Sequence, residues 1–300
     1  MEEKEKLVRV NERLAYDENG MLIGLYDPRR EGVYDKEKEY KRSYLQLEAY
    51  KRKLEREARN AKRRKQRFVV CYHRTIKKLI KEVPIECLGV LANLLPYVKY
   101  NDEGRLYYEG EPINNKIIAK LIGKSVDRTK KLTAQLVKAG VLLTEKKGRS
   151  RVYKLSPEYH VMGEINKNLS FTKFYREAAK SKLKMLTIQQ AGLLYAMIPY
   201  FHFSTFKLAF NPDEPDPDKV VAMTHKELAE EFNISTDSLT RWMKALMDLS
   251  IVLKISDGRV VHYKIHPDIM YRQEEDTDYA EMVRKDFQDF EESRKRLGIK

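Results

Sequence analysis

The chain has 300 residues and a net charge of +14 at pH 7, and 42% of its residues are hydrophobic while 35% are charged. This length exceeds what one hydrophobic core usually holds, so we expect two folded domains with appended segments. The high charged fraction and the net positive charge predict a polyanionic partner. No apolar run is long enough to cross a bilayer and the first residues are charged, so we expect a cytoplasmic, nucleoid-associated protein with no membrane contact.

Residues 1–67 predict a small β-hairpin followed by a long basic helix. Asn19-Gly20 is typical of a tight hairpin turn, and residues 35–67 carry an apolar stripe at helical spacing. Of the 17 residues 51–67, ten are Lys or Arg and two are Glu. We interpret the helix either as a basic arm along nucleic-acid phosphates or as a surface or coiled-coil helix with a solvated outer face. The side chains of the arm are Arg59, Lys62, Arg63, Arg64, Lys65 and Arg67.

An internal repeat occupies residues 68–163 and 171–271, with residues 164–170 as a linker. Gly89 to Tyr97 aligns with Gly192 to Tyr200 at an offset of 103 residues, and after one length difference the offset becomes 110. A colinear run with a single length change predicts two copies of one domain. The first copy has 18 basic and 9 acidic residues and the second has 13 and 12, so the excess charge lies in the first copy.

Each copy contains an apolar helix that ends at a proline. Residues 84–95 and 187–198 carry these helices, and Pro96 and Pro199 stop them. A loop follows in both copies. In the second copy its Pro- and Asp-rich residues 211–218 predict an irregular and exposed segment.

A short helix, a tight turn and a second helix come next. Asn114 and the capping box Thr224–Glu227 begin the two short helices. Gly123 and Asn233 end them, because both residue types readily adopt the left-handed conformation of a tight turn. The second helices begin at equivalent N-cap serines, Ser125 and Ser235.

The second helix of each copy buries one face and is followed by a hairpin. Its buried positions are Thr129, Leu132, Leu136 and Ala139 in the first copy and Leu239, Trp242, Leu246 and Leu249 in the second. Strands are predicted at residues 141–145 and 151–155, and at 251–255 and 260–265, with Lys-Gly and Asp-Gly near the tips. The sequence therefore predicts a mainly α fold with small β-hairpin wings, α+β in class, built from two tandem winged helix-turn-helix domains.

Both copies look like winged-helix domains. The first, from Arg67-Phe-Val-Val to Gly163, is similar to the winged-helix replication and maintenance proteins of plasmids and phages in Gram-positive bacteria. The resemblance implies sequence-specific binding of double-stranded DNA by a replication initiator or maintenance protein. The alternatives are a transcriptional repressor of a mobile element and a DNA-organising scaffold. Two dissimilar reading helices favour an extended, non-palindromic or directly repeated site, whereas a palindromic site would favour a dimeric repressor.

The exposed face of the second helix and the tip of the wing are the candidate DNA contacts. Arg can pair with guanine and Gln with adenine in the major groove, while basic side chains of the wing reach phosphates or the minor groove. The candidates in the first copy are Asn114, Lys124, Ser125, Arg128, Lys130, Lys131, Gln135, Lys146, Lys147, Arg149 and Arg151.

The second copy offers a less basic surface. Its candidates are Thr236, Ser238, Thr240, Arg241, Lys244 and Arg259. Asp237 and Asp248 cancel the positive charge of this helix. We expect this copy either to read bases with fewer phosphate contacts or to serve dimerisation or partner binding.

The C-terminal segment 272–300 predicts an acidic amphipathic helix. Residues 272–292 hold nine acidic and three basic residues, which argues against DNA contact. Its apolar stripe is Tyr279, Met282, Val283, Phe287 and Phe290. Packing on a neighbouring element is favoured. The alternatives are a homodimer through the second copy or the terminal helices, and recruitment of a host replication or transcription protein.

No catalytic, metal or cofactor site is predicted. Gly123-Lys124-Ser125 resembles the end of a phosphate-binding loop, but that motif needs a glycine where Ile118 stands. Cys71 and His73 lack the further ligands of a zinc site, and the two cysteines of the chain are too few for a disulfide framework. We therefore expect a DNA-binding protein that is not an enzyme and needs no cofactor.

Overall fold

A computed structural model describes residues 9–11, 14–16, 22–27, 32–34, 36–64, 66–148, 150–257 and 260–298, with side chains from residue 44 onward apart from 62–65, 149–150, 257–260 and the last two residues. The chain is divided into two compact units, Met1–Ala61 and Lys62–Lys300. Helices and small antiparallel sheets make up both units, so the fold is α+β, as predicted.

The first unit contains an antiparallel meander and a long helix. Its elements are β1 (Arg9–Asn11), β2 (Leu14–Tyr16), β3 (Leu22–Asp27), β4 (Gly32–Tyr34) and α1 (Lys36–Arg64). The predicted hairpin corresponds to β2 and β3, which pair antiparallel, and its turn Asn19-Gly20 lies outside the described residues. The predicted long helix is confirmed as α1. Apolar side chains of α1, including Tyr44, Tyr50 and Leu54, are exposed.

The second unit contains both repeats, which have nearly the same order of elements. The first repeat comprises β5 (Phe68–Tyr72), α2 (His73–Glu82), α3 (Ile85–Leu94), a 3-10 turn (Leu95–Tyr97), β6 (Tyr107–Tyr108), β7 (Glu111–Pro112), α4 (Asn115–Ile122), α5 (Val126–Lys138), β8 (Leu142–Lys147), β9 (Ser150–Leu155) and β10 (His160–Val161).

The second repeat follows the same plan, with the 3-10 turn Pro217–Lys219 in the connection where the first has β6 and β7. It comprises β11 (Phe171–Tyr175), α6 (Arg176–Leu183), α7 (Ile188–Ala196), 3-10 turns (Ile198–Tyr200 and Pro217–Lys219), α8 (His225–Glu231), α9 (Thr236–Asp248), β12 (Val252–Asp257), β13 (Val260–Ile265) and β14 (Met270–Tyr271), and α10 (Asp278–Arg296) ends the described chain.

The two repeats share one four-stranded sheet in the order β10-β5-β11-β14. β5 and β11 pair antiparallel, with Phe171 opposite Tyr72, Tyr175 opposite Phe68, and Lys173 opposite Val70 at the centre. Lys173 is also the repeat equivalent of Val70. An antiparallel pair centred on two equivalent residues has a local two-fold axis through that centre. The repeats are therefore joined about a pseudo-two-fold axis.

The apolar helices α3 and α7 pack against each other across the same axis. Gly89 and its equivalent Gly192 lie where they cross. A Cβ atom on Gly89 would lie 1.9 Å from the carbonyl oxygen of Ile188, and one on Gly192 would lie 2.1 Å from that of Ile85. Only glycine allows this approach. The buried apolar residues of both repeats consequently form one continuous hydrophobic core.

The core differs from the prediction at a few helix positions. Met243 is buried in α9 and Trp242 is only partly buried, because the two neighbouring positions both border the buried face. Ala139 and Leu249, at the ends of their helices, are also only partly buried. The remaining predicted positions of α5 and α9 are buried.

The acidic loop 211–218 is irregular up to a 3-10 turn and mostly open to solvent, as predicted, but it is anchored at one end. Pro212 is buried, and Arg272 forms an ion pair with Asp213. The side chain of Asp216 accepts a hydrogen bond from the backbone of Asp218, which begins the 3-10 turn. The guanidinium of Arg272 also donates to the carbonyl of Pro212 at 2.6 Å, so a buried cation holds this loop against the second repeat.

The C-terminal helix begins later than predicted and packs on the second repeat. Residues 272–277 are irregular, and α10 starts at Asp278 after the N-cap Thr277. Its buried stripe is Ala280, Val283 and Phe287, whereas Tyr279 and Met282 are exposed, because the helix is rotated relative to the predicted stripe. The ring of Phe287 lies 4.6 Å from that of His266.

Candidate nucleic-acid interface

Local hydrogen bonds set the geometry of the α4–α5 and α8–α9 pairs as predicted. Asn114 accepts hydrogen bonds from the backbone of Lys116 and Ile117, and Thr224 forms a complete capping box with Glu227. The turn residues are both left-handed, with φ of 62° at Gly123 and 51° at Asn233. Ser125 and Ser235 cap α5 and α9 through their side-chain oxygens.

Side-chain bonds tie each hairpin to its helix pair. In the first repeat Thr133 donates to Asn115 at 3.0 Å, and the hydroxyl of Tyr153 lies 3.4 Å from that of Thr133. In the second repeat His225 bridges Tyr263 at 2.7 Å and Thr240 at 3.0 Å. His225 was not among the predicted site residues, although it follows the cap Thr224 and is equivalent to Asn115. These networks fix the hairpin relative to α5 and α9.

The outer face of α5 is basic and open to solvent. Lys124, Ser125, Lys130 and Lys131 are all exposed. Lys130 forms an ion pair with Asp127 at 3.1 Å. Lys124 and Lys131 have no carboxylate partner among the side chains that the structure describes. These two ammonium groups can therefore bind an external anion without first breaking an ion pair within the protein.

Arg128 and Gln135 lie on a different flank of α5, which faces α3. Arg128 forms an ion pair with Glu86, and Glu86 also accepts a hydrogen bond from Gln189 at 3.0 Å. Gln135 accepts a hydrogen bond from the Cys87 thiol at 3.1 Å. Both side chains thus have partners within the protein, and their assignment as base-reading residues stays a prediction.

The hairpin β8–β9 carries exposed cations near its tip. Lys146 and Lys147 on β8 and Arg151 on β9 are exposed, with Lys146 opposite Arg151. Arg149 lies outside the described residues. Farther from the tip, Glu145 is bound by Arg105 at 3.2 Å and by Lys154 at 3.0 Å. These bonds lower the pKa of Glu145, led by the one from Arg105.

The outer face of α9 is polar rather than basic. Thr236, Thr240, Arg241 and Lys244 are exposed, and Ser238 is partly buried. The guanidinium of Arg241 lies 3.4 Å from the Ser238 hydroxyl. In the following hairpin Lys254 is exposed, while Arg259 lies outside the described residues.

One of the two aspartates of α9 has an internal partner. Asp248 pairs with Arg294 of α10 at 2.7 Å. Its negative charge is therefore balanced by the C-terminal helix, which the charge count along α9 alone did not anticipate. Asp237 remains exposed in the first turn of the helix.

The basic arm is only partly described. Arg59 on α1 is partly buried and Arg67 is exposed. Lys62, Arg63 and Arg64 belong to α1 by backbone, but their side chains, and Lys65 altogether, lie outside the described part of the chain. The role of the arm stays a prediction.

Buried sulfur and imidazole groups lie within the core rather than at the interface. Burial raises the pKa of Cys71 and raises that of Cys87 to about 12. Burial also lowers the pKa of His160 to about 3. Among the described residues, no group of three or more His, Cys, Asp or Glu side chains could hold a metal ion. None of the helices in the described ranges has the length and apolarity that crossing a membrane requires.

The fold and site define an α+β protein in which one helix–turn–helix and hairpin unit occurs twice. The model of a family described as Firmicute plasmid replication protein (RepL) matches residues 209–298. This match spans α8, α9, their hairpin and α10, and it confirms the resemblance to replication proteins of Gram-positive plasmids. The resemblance was drawn from residues of the first repeat, whereas the matched residues lie in the second. Comparisons with curated proteins and with solved structures gave no match.

Proposed function

We propose that this protein is a plasmid replication protein whose two repeats are winged helix-turn-helix domains that bind double-stranded DNA. The observation that carries the proposal is the position of the family match, which falls on a helix–turn–helix and hairpin unit present twice in the chain. In each unit the second helix would enter the major groove, and the hairpin would reach the adjacent backbone.

The pseudo-two-fold axis supports a different type of DNA site from the directly repeated one that the sequence favours. Two reading helices related by a two-fold axis meet the two strands of a duplex in opposite directions, as in a symmetric dimer. A single chain would then bind two inverted half-sites about one helical turn apart. Directly repeated half-sites fit this arrangement poorly. Because α5 and α9 carry different side chains, the two half-sites are expected to differ in sequence.

The two helices divide the work of binding unequally in this proposal. Lys124 and Lys131 of α5 and Lys146 and Lys147 of the following hairpin supply most of the phosphate attraction. Thr236, Thr240 and Arg241 of α9 contact bases with less electrostatic support. Binding by one chain already provides two reading helices, so a homodimer is not needed to read one site.

The chain acts without catalysis or a cofactor in this proposal, and it works in the cytoplasm on plasmid DNA. Initiation would depend on recruiting host replication proteins to the bound origin. The exposed acidic side of α10 is the surface we assign to that contact, because its buried side is already packed against the second repeat. A transcriptional repressor is the second candidate, since an exposed basic α5 would serve operator binding equally well.

Selection of bound sequences from a random duplex pool tests the DNA-binding part of the proposal. The expected motif has two different half-sites in inverted orientation, bound by one chain. A minimal plasmid carrying that motif should then replicate only when the protein is supplied. Lack of any selected motif would contradict DNA reading, whereas a motif without supported replication would favour the repressor.

A further inference from the structure

A cationic, tyrosine-lined cleft lies between the first repeat and α6, on the side of the molecule where α4 ends. Its volume is about 440 Å³, and its walls include Tyr97, Tyr108, Lys120, Arg176, Lys180 and Lys184. The ring centroids of Tyr97 and Tyr108 are 5.3 Å apart. Lys180 lies 5.2 Å from the ring centroid of Tyr97, and Lys120 lies 5.3 Å from that of Tyr108.

The pseudo-two-fold axis relates three residues of this cleft to a counterpart cluster of side chains in the same molecule. There, Lys77, Lys81 and Tyr200 are the repeat equivalents of Lys180, Lys184 and Tyr97. Lys77 lies 5.0 Å from the ring centroid of Tyr200, which matches the arrangement of Lys180 over Tyr97. The cleft and its counterpart therefore share one tyrosine and two lysines at equivalent positions.

The counterpart already contains an anion of the protein's own. The carboxylate of Glu231 pairs with Lys81 at 2.7 Å and accepts a hydrogen bond from the hydroxyl of Tyr200. Burial raises the pKa of Glu231, but its bonds to Lys81 and Tyr200 outweigh this and lower the pKa below its ordinary value. An ionised carboxylate thus neutralises this cluster of lysines.

The tyrosine-lined cleft lacks a carboxylate at the position of Glu231. The repeat equivalent of Glu231 is Leu121, which lines the cleft. Neither Lys180 nor Lys184 has an ion pair with any side chain that the structure describes. Glu109 is the one carboxylate among the described lining residues, and Glu177 lies near Tyr97 on α6. Four cationic lining side chains against these two carboxylates leave the cleft positive.

We propose that this cleft binds a nucleotide, with a phosphate between Lys180 and Lys184 where the counterpart holds the Glu231 carboxylate, and with the base against the tyrosine-lined wall. Lysine binds phosphate as a point charge, and aromatic rings stack on bases of any sequence. Either a free nucleotide or a nucleic-acid strand could supply this group. The inference does not depend on DNA reading by α5 and α9.

The internal repeat provides a matched pair of variants. Leu121→Glu installs in the open cleft the carboxylate that its counterpart already accommodates, and Leu121→Gln has nearly the same shape without the charge. Calorimetric titrations of the full chain would use ATP, adenosine, inorganic phosphate and a short single-stranded oligonucleotide as probes. Thermal melting of each variant would check that it is folded.

ATP is expected to bind more tightly than adenosine and to be displaced by inorganic phosphate. Leu121→Glu is expected to weaken ATP binding by about tenfold or more, while Leu121→Gln keeps most of it. If only the oligonucleotide binds, with the same dependence on the variants, the strand is the source of the nucleotide.

Equal affinities of the two Leu121 variants would overturn the proposal, as would the absence of saturable binding by every phosphate-containing probe. Should Leu121→Glu fail to fold, the double substitution Lys180→Gln with Lys184→Gln removes the two charges instead. Unchanged ATP and oligonucleotide binding by that folded variant would also overturn it.

Discussion

The outer faces of α5 and α9 differ at equivalent positions of the same framework. Lys130 of α5 corresponds to Thr240 of α9, which His225 engages at 3.0 Å. Lys131 corresponds to Arg241, so one cation is kept. Lys138 corresponds to Asp248, whose charge is balanced by Arg294 of α10. Part of the outer face of α9 is therefore occupied by contacts within the protein.

The two repeats share the residues that the fold requires and differ in the charges on their surfaces. N-caps, left-handed turn residues and the crossing glycines are present in both repeats, because backbone geometry demands them. Backbone geometry does not require a particular surface charge. The same scaffold thus carries one strongly basic helix face and one that consists mainly of neutral polar groups.

The largest expected effect concerns a buried cation present in only one repeat. Arg272 donates to the carbonyls of Phe171 at 3.2 Å and Phe201 at 3.0 Å and pairs with Asp213, whereas Met162 is its equivalent in the first repeat. Arg272→Met removes this donor from the two backbone carbonyls and leaves Asp213 with the hydroxyl of Ser170. We expect the free energy of unfolding to fall by about 3–5 kcal/mol in urea titrations.

An exposed ion pair supplies the control for Arg272. Lys167 and Glu274 pair at 3.4 Å with both side chains largely in solvent. Lys167→Met should cost less than about 1 kcal/mol. Similar losses for the two substitutions would mean that Arg272 does not hold the acidic loop in place.

A slightly smaller effect is expected where the repeats are most alike. Gly89→Ala places a methyl group 1.9 Å from the carbonyl oxygen of Ile188, so α3 and α7 must move apart. We expect a loss of about 3 kcal/mol of unfolding free energy, in one cooperative transition, because the repeats share a core. Gly123→Ala, which meets no atom within 4 Å, should cost only the strain of its left-handed backbone, about 1–2 kcal/mol. Two separate transitions would show that the repeats fold independently.

The DNA-reading roles proposed for α5 and α9 can be compared through their equivalent cations. Lys131→Ala and Arg241→Ala should each weaken DNA binding by about 1–3 kcal/mol if the side chain contacts a base. Each substitution should relax sequence preference in a different half-site. Arg128→Ala should have less effect than Lys131→Ala, because Arg128 is already paired with Glu86. Relaxation of the same half-site by both substitutions would contradict the assignment of one half-site to each repeat.

The smallest expected effect is a difference in acid sensitivity. Burial lowers the pKa of His160 to about 3, whereas an unfolded histidine has a pKa of about 6.5. Below pH 6.5 the unfolded chain therefore binds a proton that the folded chain excludes, and stability falls as the pH falls. His160→Met copies its equivalent Met270 and should reduce the stability lost between pH 7.5 and 5.5 by about 1.4 kcal/mol.

Urea titrations at the two pH values measure this difference. At neutral pH the variant should be less stable by about 1–2 kcal/mol, because Tyr195 loses the hydrogen bond that it shares with His160 at 2.7 Å. The pKa values of His73 and His266 are also lowered by burial, so some acid sensitivity should persist. An unchanged pH dependence would show that His160 does not exclude a proton in the folded state.

Features set by neighbouring residues were predictable from the sequence. The caps Asn114, Ser125 and Thr224 and the left-handed Gly123 and Asn233 depend on backbone groups within a few residues, and they occur where predicted. The repeat alignment also identified Gly89 and Gly192 as equivalent positions. It could not show that the two glycines meet, because that contact joins residues about one hundred positions apart.

Features set by distant residues were not predictable. Pairing of β5 with β11 joins the repeats in one sheet, although periodicity indicates only that each strand exists. Glu86 and Arg128 form an ion pair although they are 42 positions apart in sequence. A helical-wheel argument on α5 alone cannot detect this contact. The difference between the tyrosine-lined cleft and its counterpart likewise depends on the positions of Leu121 and Glu231 in space.

In the proposed function, one chain holds two DNA-reading helices about a pseudo-two-fold axis. Affinity should therefore be measured for two duplexes that contain the same selected half-sites, one with the native inverted orientation and one with a half-site reversed. We expect one chain to bind the inverted duplex at least about tenfold more tightly, since only there can both repeats engage. Equal or tighter binding of the directly repeated duplex would contradict the claim.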